Sequence, residues 1–221
     1  MIEDPTFTAP LLVWFEQHGR KHLPWQEPKD AYRIWVSEIM LQQTQVITVI
    51  PYFIKFMQQF SDIRALAAAN VDDVFAQWSG LGYYRRAAYL HQTARIVMHD
   101  YQGQFPNDIE QIKALPGIGP STAAAISSLA FDQAHAILDG NVQRILTRYF
   151  AIDAPITQAR TRRLLQEKAD HCMSRTRCAN YTQAIMDLGA TVCLPKNPRC
   201  SECPLQGVNE GVKARINGAG L

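Results

Sequence analysis

No apolar run in this sequence is long enough to span a bilayer, and the acidic opening Met1-Ile2-Glu3-Asp4 lacks the basic start of a signal peptide. Both absences point to a cytoplasmic protein with no membrane partner. An excess of either charge is missing too: 22 Lys and Arg against 20 Asp and Glu leave a formal net charge of +2. A chain that grips nucleic acid through a basic patch shows a larger excess. Any such contact here must therefore rest on neutral backbone donors and a few placed cations. Cysteine is absent before Cys172, and three of the five cysteines fall between 193 and 203. In a reducing compartment this crowding argues against a disulfide framework and for thiols or metal ligands. Alternating strand patterns are absent as well.

What is present is helical periodicity. With 221 residues, 47% of them hydrophobic, the chain can bury one sizeable core or two modest ones. Asp30 is placed to cap a helix through Tyr32, Trp35, Ile39 and Leu41, and Pro51 sits early in another running from Val49 to about Phe60. Asn70, followed by Asp72 and Asp73, reads as the cap of a helix through Val74, Phe75 and Trp78. Ala87, Leu90, Ala94 and Val97 form the apolar stripe of a helix between Tyr83 and Tyr101. Further helices fit Asp108–Leu115, Ser121–Phe131, Asn141–Phe150, Thr157–Cys172 and Tyr181–Leu188. The predicted fold class is all-α. The tail from Gln206 to Leu221 has few large apolar residues and is expected to be frayed.

Two segments carry chemistry. Leu115-Pro116-Gly117-Ile118-Gly119-Pro120-Ser121-Thr122-Ala123 joins two helices through a Gly-x-Gly turn, with Pro120 at a first helical position where a missing N–H is no loss. Gly117 and Gly119 let the backbone approach a ligand and aim N–H groups outward, a grip on phosphate that needs no side-chain charge. A plain helix-turn-helix corner accounts for the same residues equally well. Downstream, Leu138-Asp139-Gly140-Asn141-Val142 sets a carboxylate at a helix entry, where an ordinary N-cap is the simplest role.

Together these segments resemble the helix-hairpin-helix glycosylase superfamily, the relatives of endonuclease III, and within it the adenine DNA glycosylases of the MutY type. The resemblance also rests on Leu23-Pro24-Trp25, on Trp35-Val36-Ser37-Glu38-Ile39-Met40-Leu41-Gln42-Gln43-Thr44-Gln45-Val46, and on Gly80-Leu81-Gly82-Tyr83-Tyr84-Arg85-Arg86-Ala87. Gln183-Ala184-Ile185-Met186-Asp187-Leu188-Gly189-Ala190 and Cys193 extend it, from about Leu12 to Gln206. It implies two helical lobes, residues 28–135 with the hairpin and residues 1–27 plus 136–206 with a cysteine loop, followed by a divergent tail at 207–221. DNA and an extruded base are expected in the cleft between the lobes. The implied function is base-excision repair by a monomer: hydrolysis of the N-glycosidic bond of adenine mispaired with 8-oxoguanine or guanine in double-stranded DNA.

Adenine is a poor leaving anion, so its departure requires protonation of a ring nitrogen by a carboxylic acid that apolar surroundings keep protonated. The resemblance gives that role to Glu38, between Trp35, Ile39, Met40 and Leu41; in isolation the same residue would read as a solvated helix-surface glutamate. Asp139 is assigned to stabilising or trapping the oxocarbenium-like sugar, with Asn141 ordering the carboxylates. Ser121 stands where the bifunctional relatives carry a lysine, and a hydroxyl cannot form a Schiff base. The implied enzyme is therefore monofunctional, and Gln143 in place of the lysine some relatives carry there points the same way. Gln42 and Tyr83 match positions that probe and wedge the duplex, while Trp25 and Gln183 match the adenine pocket. Burial in a core is the competing role for both Tyr83 and Trp25.

Cys193-x6-Cys200-x2-Cys203 matches the first three ligands of a four-iron, four-sulfur (4Fe-4S) cluster, whose fourth cysteine would fall at 209. That residue is Asn209. Four thiolates normally hold such a cluster, so weak or partial occupancy is expected. Cys172 and Cys178 fit ordinary buried thiols better than substitute ligands. Two other functions fit parts of the pattern: an endonuclease III-like glycosylase/lyase, against which Ser121 argues, and a non-catalytic DNA-binding module, against which both carboxylates argue. The resemblance also implies a further C-terminal domain that reads 8-oxoguanine in full-length relatives and is absent from this sequence.

Overall fold

The computed structural model describes residues 3–206; the expected frayed tail, including Asn209, lies outside the described residues apart from Gln206. Every regular element among the described residues is helical. None of these helices is long and apolar enough to cross a membrane. The chain divides into two compact units: Met1–Arg20 together with Asp132–Leu221, and Lys21–Phe131.

The Lys21–Phe131 unit holds α2 (Ala31–Leu41), α3 (Val46–Gln59), α4 (Ile63–Ala68), α5 (Val71–Trp78), α6 (Arg85–Asp100), α7 (Ile109–Ala114) and α8 (Pro120–Phe131). Side chains at the N-caps start most of them. Asp30, Asp62, Asn70 and Asp108 each accept from backbone N–H groups in the first turn that have no helical partner. Trp35, Phe53, Phe56, Leu66, Trp78, Leu90, Ile112 and Ile126 are all within 1% of complete burial and form one core. The stripe Ala87, Leu90, Ala94 and Val97 points into it. α2 packs against α3 and α8, and α4 and α5 pack against α6.

Two features differ from the periodicity reading. α3 begins three residues earlier, at Val46, because Pro51 is tolerated within it. α4 went unread because six residues with only Ile63 and Leu66 buried make too short a stripe to register.

The other unit holds α1 (Pro5–His18), α9 (Gly140–Tyr149), α10 (Ala159–Cys172), α11 (Cys178–Thr191) and a short 3-10 turn at Cys200–Glu202. Asp4 caps α1, and Pro5 occupies its first position. Thr8 donates its hydroxyl to the Cys172 carbonyl at 2.8 Å, tying α1 to the end of α10. The buried core includes Phe7, Leu11, Leu146, Leu165, Ala184 and Leu188. Phe7 and Tyr149 meet edge to face at 4.8 Å, a favourable aromatic geometry. α11 runs from Cys178 to Thr191, longer at both ends than the stripe alone indicated.

Candidate functional site

In the Lys21–Phe131 unit the hairpin joins α7 to α8 as the Gly-x-Gly spacing required. Gly117 has φ +78°, and a Cβ there would stand 2.8 Å from Tyr89, so both conformation and space demand glycine. Gly119 is exposed with open space where a side chain would project. Gln42 donates its amide to the Gly117 carbonyl at 3.2 Å and Thr93 its hydroxyl to the Pro116 carbonyl at 3.1 Å, so α2 and α6 both hold the turn. Ser121 is half-buried in the first turn of α8.

Glu38 lies on α2, and its setting is unusual. From Ile34 to Met40 every residue is buried except Glu38, which is half-buried. An apolar helix therefore carries one carboxylate to a partial opening. At the end of that helix the chain turns through Gln43, exposed with φ 57°. The Ser79–Tyr84 loop is also wound left-handed, with φ +95° at Gly80, +79° at Gly82 and 51° at Tyr83. Tyr83 is 60% exposed, which settles its burial alternative against the core. Positive φ on a large aromatic costs roughly 1–3 kcal/mol and persists only where the surroundings hold it. Gln42, Gln43, Tyr83, Tyr84 and Gly117 line one open hollow of about 360 Å³, so three of the sequence-predicted residues converge there. Trp25 does not join them. It is 4% exposed and packs edge-on to Phe53 at 5.4 Å.

In the other unit Asp139 is the N-cap of α9, accepting from the Val142 N–H at 2.8 Å while remaining half-exposed. Its capping role and a role in chemistry are thus compatible. Asn141 accepts from Arg144 at 2.8 Å, and Gly189 makes room for it, since a Cβ at 189 would fall 2.7 Å from the Asn141 Cβ. Arg144 continues to the carbonyls of Cys193 and Gly189, both at 2.8 Å. Gln183 is nearly buried and donates to Asp187 at 2.9 Å; Asp187 also receives the Arg20 guanidinium at 2.7 Å. That amide is thus engaged within α11, on the carboxylate that ties α11 to Arg20 just past α1.

The cysteine loop is braced by α9. Arg148 donates to the Cys193 sulfur at 3.3 Å, to the Leu194 carbonyl at 2.8 Å and to the Pro195 carbonyl at 3.2 Å. Cys193, Cys200 and Cys203 are free and half-buried. Burial raises the pKa of Cys203, and the neighbouring Cys193 and Cys200 thiols push it further. No group of three or more His, Cys, Asp or Glu among the described residues is placed to hold a single metal ion. In an iron–sulfur cluster each thiolate takes its own iron, so three half-buried thiols on one loop, with Arg148 donating to the Cys193 sulfur, have the chemistry for three corners of such a group. The fourth corner lacks a described thiol. Cys172 and Cys178 are buried in α10 and α11, and burial pushes the Cys172 thiol up to about 12.

Sequence reasoning missed Gln43 and Arg86. Arg86 is 7% exposed and makes six hydrogen bonds. A signal for it existed: 86 lies on the same helical stripe as Leu90, Ala94 and Val97.

Comparison with known proteins gives concordant matches. The model of the HhH-GPD superfamily base excision DNA repair proteins matches residues 36–171, and that of the iron-sulfur binding domain of endonuclease III matches residues 193–208. The adenine DNA glycosylase of Buchnera aphidicola (subsp. Schizaphis graminum, strain Sg) is 44% identical over 199 residues, covering 90% of this chain and 57% of that protein. That of Mus musculus is 43% identical over 211 residues, covering 91% and 41%. The chain spans about half the length of these curated relatives. The solved structure of a thermostable thymine-DNA glycosylase is similar with a TM-score of 0.84 at 26% identity, covering 96% of this chain and 100% of that one.

Proposed function

This chain belongs to the HhH-GPD superfamily of base excision DNA repair proteins, and we propose that it is a monofunctional adenine DNA glycosylase. Its substrate is double-stranded DNA in which adenine is mispaired with 8-oxoguanine or guanine; it acts in the cytoplasm, as a monomer, on chromosomal DNA. The observation that carries this reading is Glu38, the one residue between Ile34 and Met40 that is not buried. Its carboxyl delivers a proton to adenine as the glycosidic bond breaks. Asp139, oriented by its bond to the Val142 N–H, stabilises the positive charge that develops on the sugar. Asn141, fixed by Arg144, keeps that carboxylate in place. Water completes the hydrolysis, and because Ser121 supplies no amine the product is an intact abasic site.

Binding follows from the same residues. The Gly117–Pro120 turn grips a phosphate at the N-terminus of α8 without side-chain charge, in keeping with a net charge of +2. The exposed Tyr83 ring enters the duplex and offsets the unstacking of the extruded base. Gln42 acts through the hairpin it holds, and the exposed Gln43 beside it is the glutamine placed to touch DNA. Trp25 and Gln183, both nearly buried, are assigned to adenine recognition as supports. Cys193, Cys200 and Cys203 are the residues that would hold a 4Fe-4S cluster, and Asn209 stands in the sequence where the fourth cysteine would fall. Such a group would cross-link the loop, and no step of the reaction is routed through it.

The test is single-turnover excision on duplexes with adenine opposite 8-oxoguanine, guanine and thymine, and with thymine opposite guanine. Adenine opposite 8-oxoguanine and guanine should be released, and adenine opposite thymine spared. Glu38→Gln should bind the mispaired duplex yet cleave about 10²–10⁴-fold more slowly, the usual contribution of general acid catalysis. Release of thymine alone, or a wild-type rate in Glu38→Gln, would overturn the reading.

A further inference from the structure

Arg86, in the first turn of α6, is 7% exposed, yet none of its hydrogen-bond partners is a carboxylate. A buried guanidinium without an acid needs other compensation. One terminal nitrogen donates to the carbonyls of Ile39 at 3.0 Å, Met40 at 2.7 Å and Gln42 at 2.7 Å. These carbonyls end α2, where the helix dipole is negative and no basic side chain of α2 itself stands in the last turn. The other terminal nitrogen donates to the Thr44 hydroxyl at 3.2 Å, the Gly82 carbonyl at 3.1 Å and the Leu81 carbonyl at 3.4 Å. The guanidinium also lies over the rings of Trp78 and Tyr83, 5.3 and 5.4 Å from their centroids. Trp78 adds its own bond to the Gly82 carbonyl at 3.0 Å.

One side chain thus grips two things: the end of the helix that carries Glu38, and the loop that holds the exposed Tyr83 at φ 51°. We propose that Arg86 is a positioning residue that couples the placement of the Tyr83 ring to the end of the Glu38 helix. Insertion of the ring into a duplex and presentation of the Glu38 carboxyl then become one event instead of two. Direct contact with DNA is not its job, since the side chain is buried and its terminal nitrogens are all engaged. Lysine cannot replace it, because an ammonium lacks the rigid two-ended fork that reaches both sets of carbonyls. The proposal rests on the glycosylase reading above, in that it takes Tyr83 and Glu38 as the parts being coupled.

The test is a double-variant cycle of Arg86→Lys and Tyr83→Ala. Fluorescence of 2-aminopurine placed beside a mispaired adenine reads duplex opening on binding, and single-turnover excision is measured on the same duplexes. Arg86→Lys should keep its affinity for undamaged duplex, lose the opening signal as Tyr83→Ala does, and excise roughly 10- to 100-fold more slowly, the scale of a small misplacement. The double variant should be no worse than the more affected single one. Additive losses, or a full opening signal in Arg86→Lys, overturn the coupling. If Arg86→Lys does not fold, Thr44→Val decides instead: it removes one acceptor of the fork, and should reduce opening in part where an uncoupled loop would leave it unchanged. Because opening is read without cleavage, a wild-type protein that opens the duplex but spares adenine would refute the proposed activity and leave the coupling standing.

Discussion

In the proposed reaction a single side chain would decide which product is left. Ser121 sits in the first turn of α8, beside the hairpin that is proposed to grip the backbone. Its hydroxyl cannot form an imine with the sugar, so under the proposed activity the strand would stay intact after the base departs. Ser121→Lys should change that. A cation at a helix N-terminus is disfavoured by about 0.3–1 kcal/mol, so the new amine sheds its proton more readily and gains nucleophilic character. Borohydride should then trap a protein–DNA adduct that the unaltered chain does not give, and nicking should appear without added base. Efficient trapping by the unaltered protein would end the monofunctional reading. Tyr83 shows the opposite economy at this scale, a strained backbone retained to hold a large ring in water.

Among elements, α9 is tied to its surroundings at both ends. Asp139 caps it, Asn141 and Arg144 tie its first turns to α11, and Arg148 ties its last turn to the cysteine loop. Arg148→Met keeps the length and removes the three bonds to Cys193, Leu194 and Pro195. Allowing for its partial exposure, the cost should be about 1–3 kcal/mol in denaturant unfolding. Amide exchange over residues 193–200 should quicken while α2 to α8 stay protected; unchanged exchange there would mean that the loop is held by other means. How much of this was legible beforehand depends on the kind of signal. Caps and stripes are local, so Asp30 and Asn70 announced their helices, and the Gly-x-Gly turn announced a hairpin. Six-residue α4 had too little stripe to read. The uses of Gln42 and Arg86 hinge on carbonyls distant in sequence, as with Arg86 and Ile39, and no local pattern reports those. Arg86 alone left a trace, a charge on an apolar face.

For the molecule as a whole, the open question of composition is what the sulfur atoms hold. The match to an iron-sulfur binding domain ends at residue 208, one short of Asn209. Three thiols on the loop, one of them facing Arg148, can anchor three irons, but the other two cysteines are poor substitutes. Cys172 is fully buried at the end of α10 and Cys178 is buried at the start of α11, both outside the 193–203 loop. The expected outcome is a cluster that is substoichiometric or lost in air. Protein purified without oxygen should contain fewer than four irons per chain and lose them on exposure, whereas Asn209→Cys should raise both iron and sulfide and slow the loss. The loop lies beside Lys196 and Arg199, both exposed, so losing its order should weaken duplex affinity more than it slows base release. Binding and single-turnover rates measured before and after iron loss separate those effects. A full, air-stable complement in the unaltered chain, with no gain from Asn209→Cys, would mean that a different ligand closes the fourth corner.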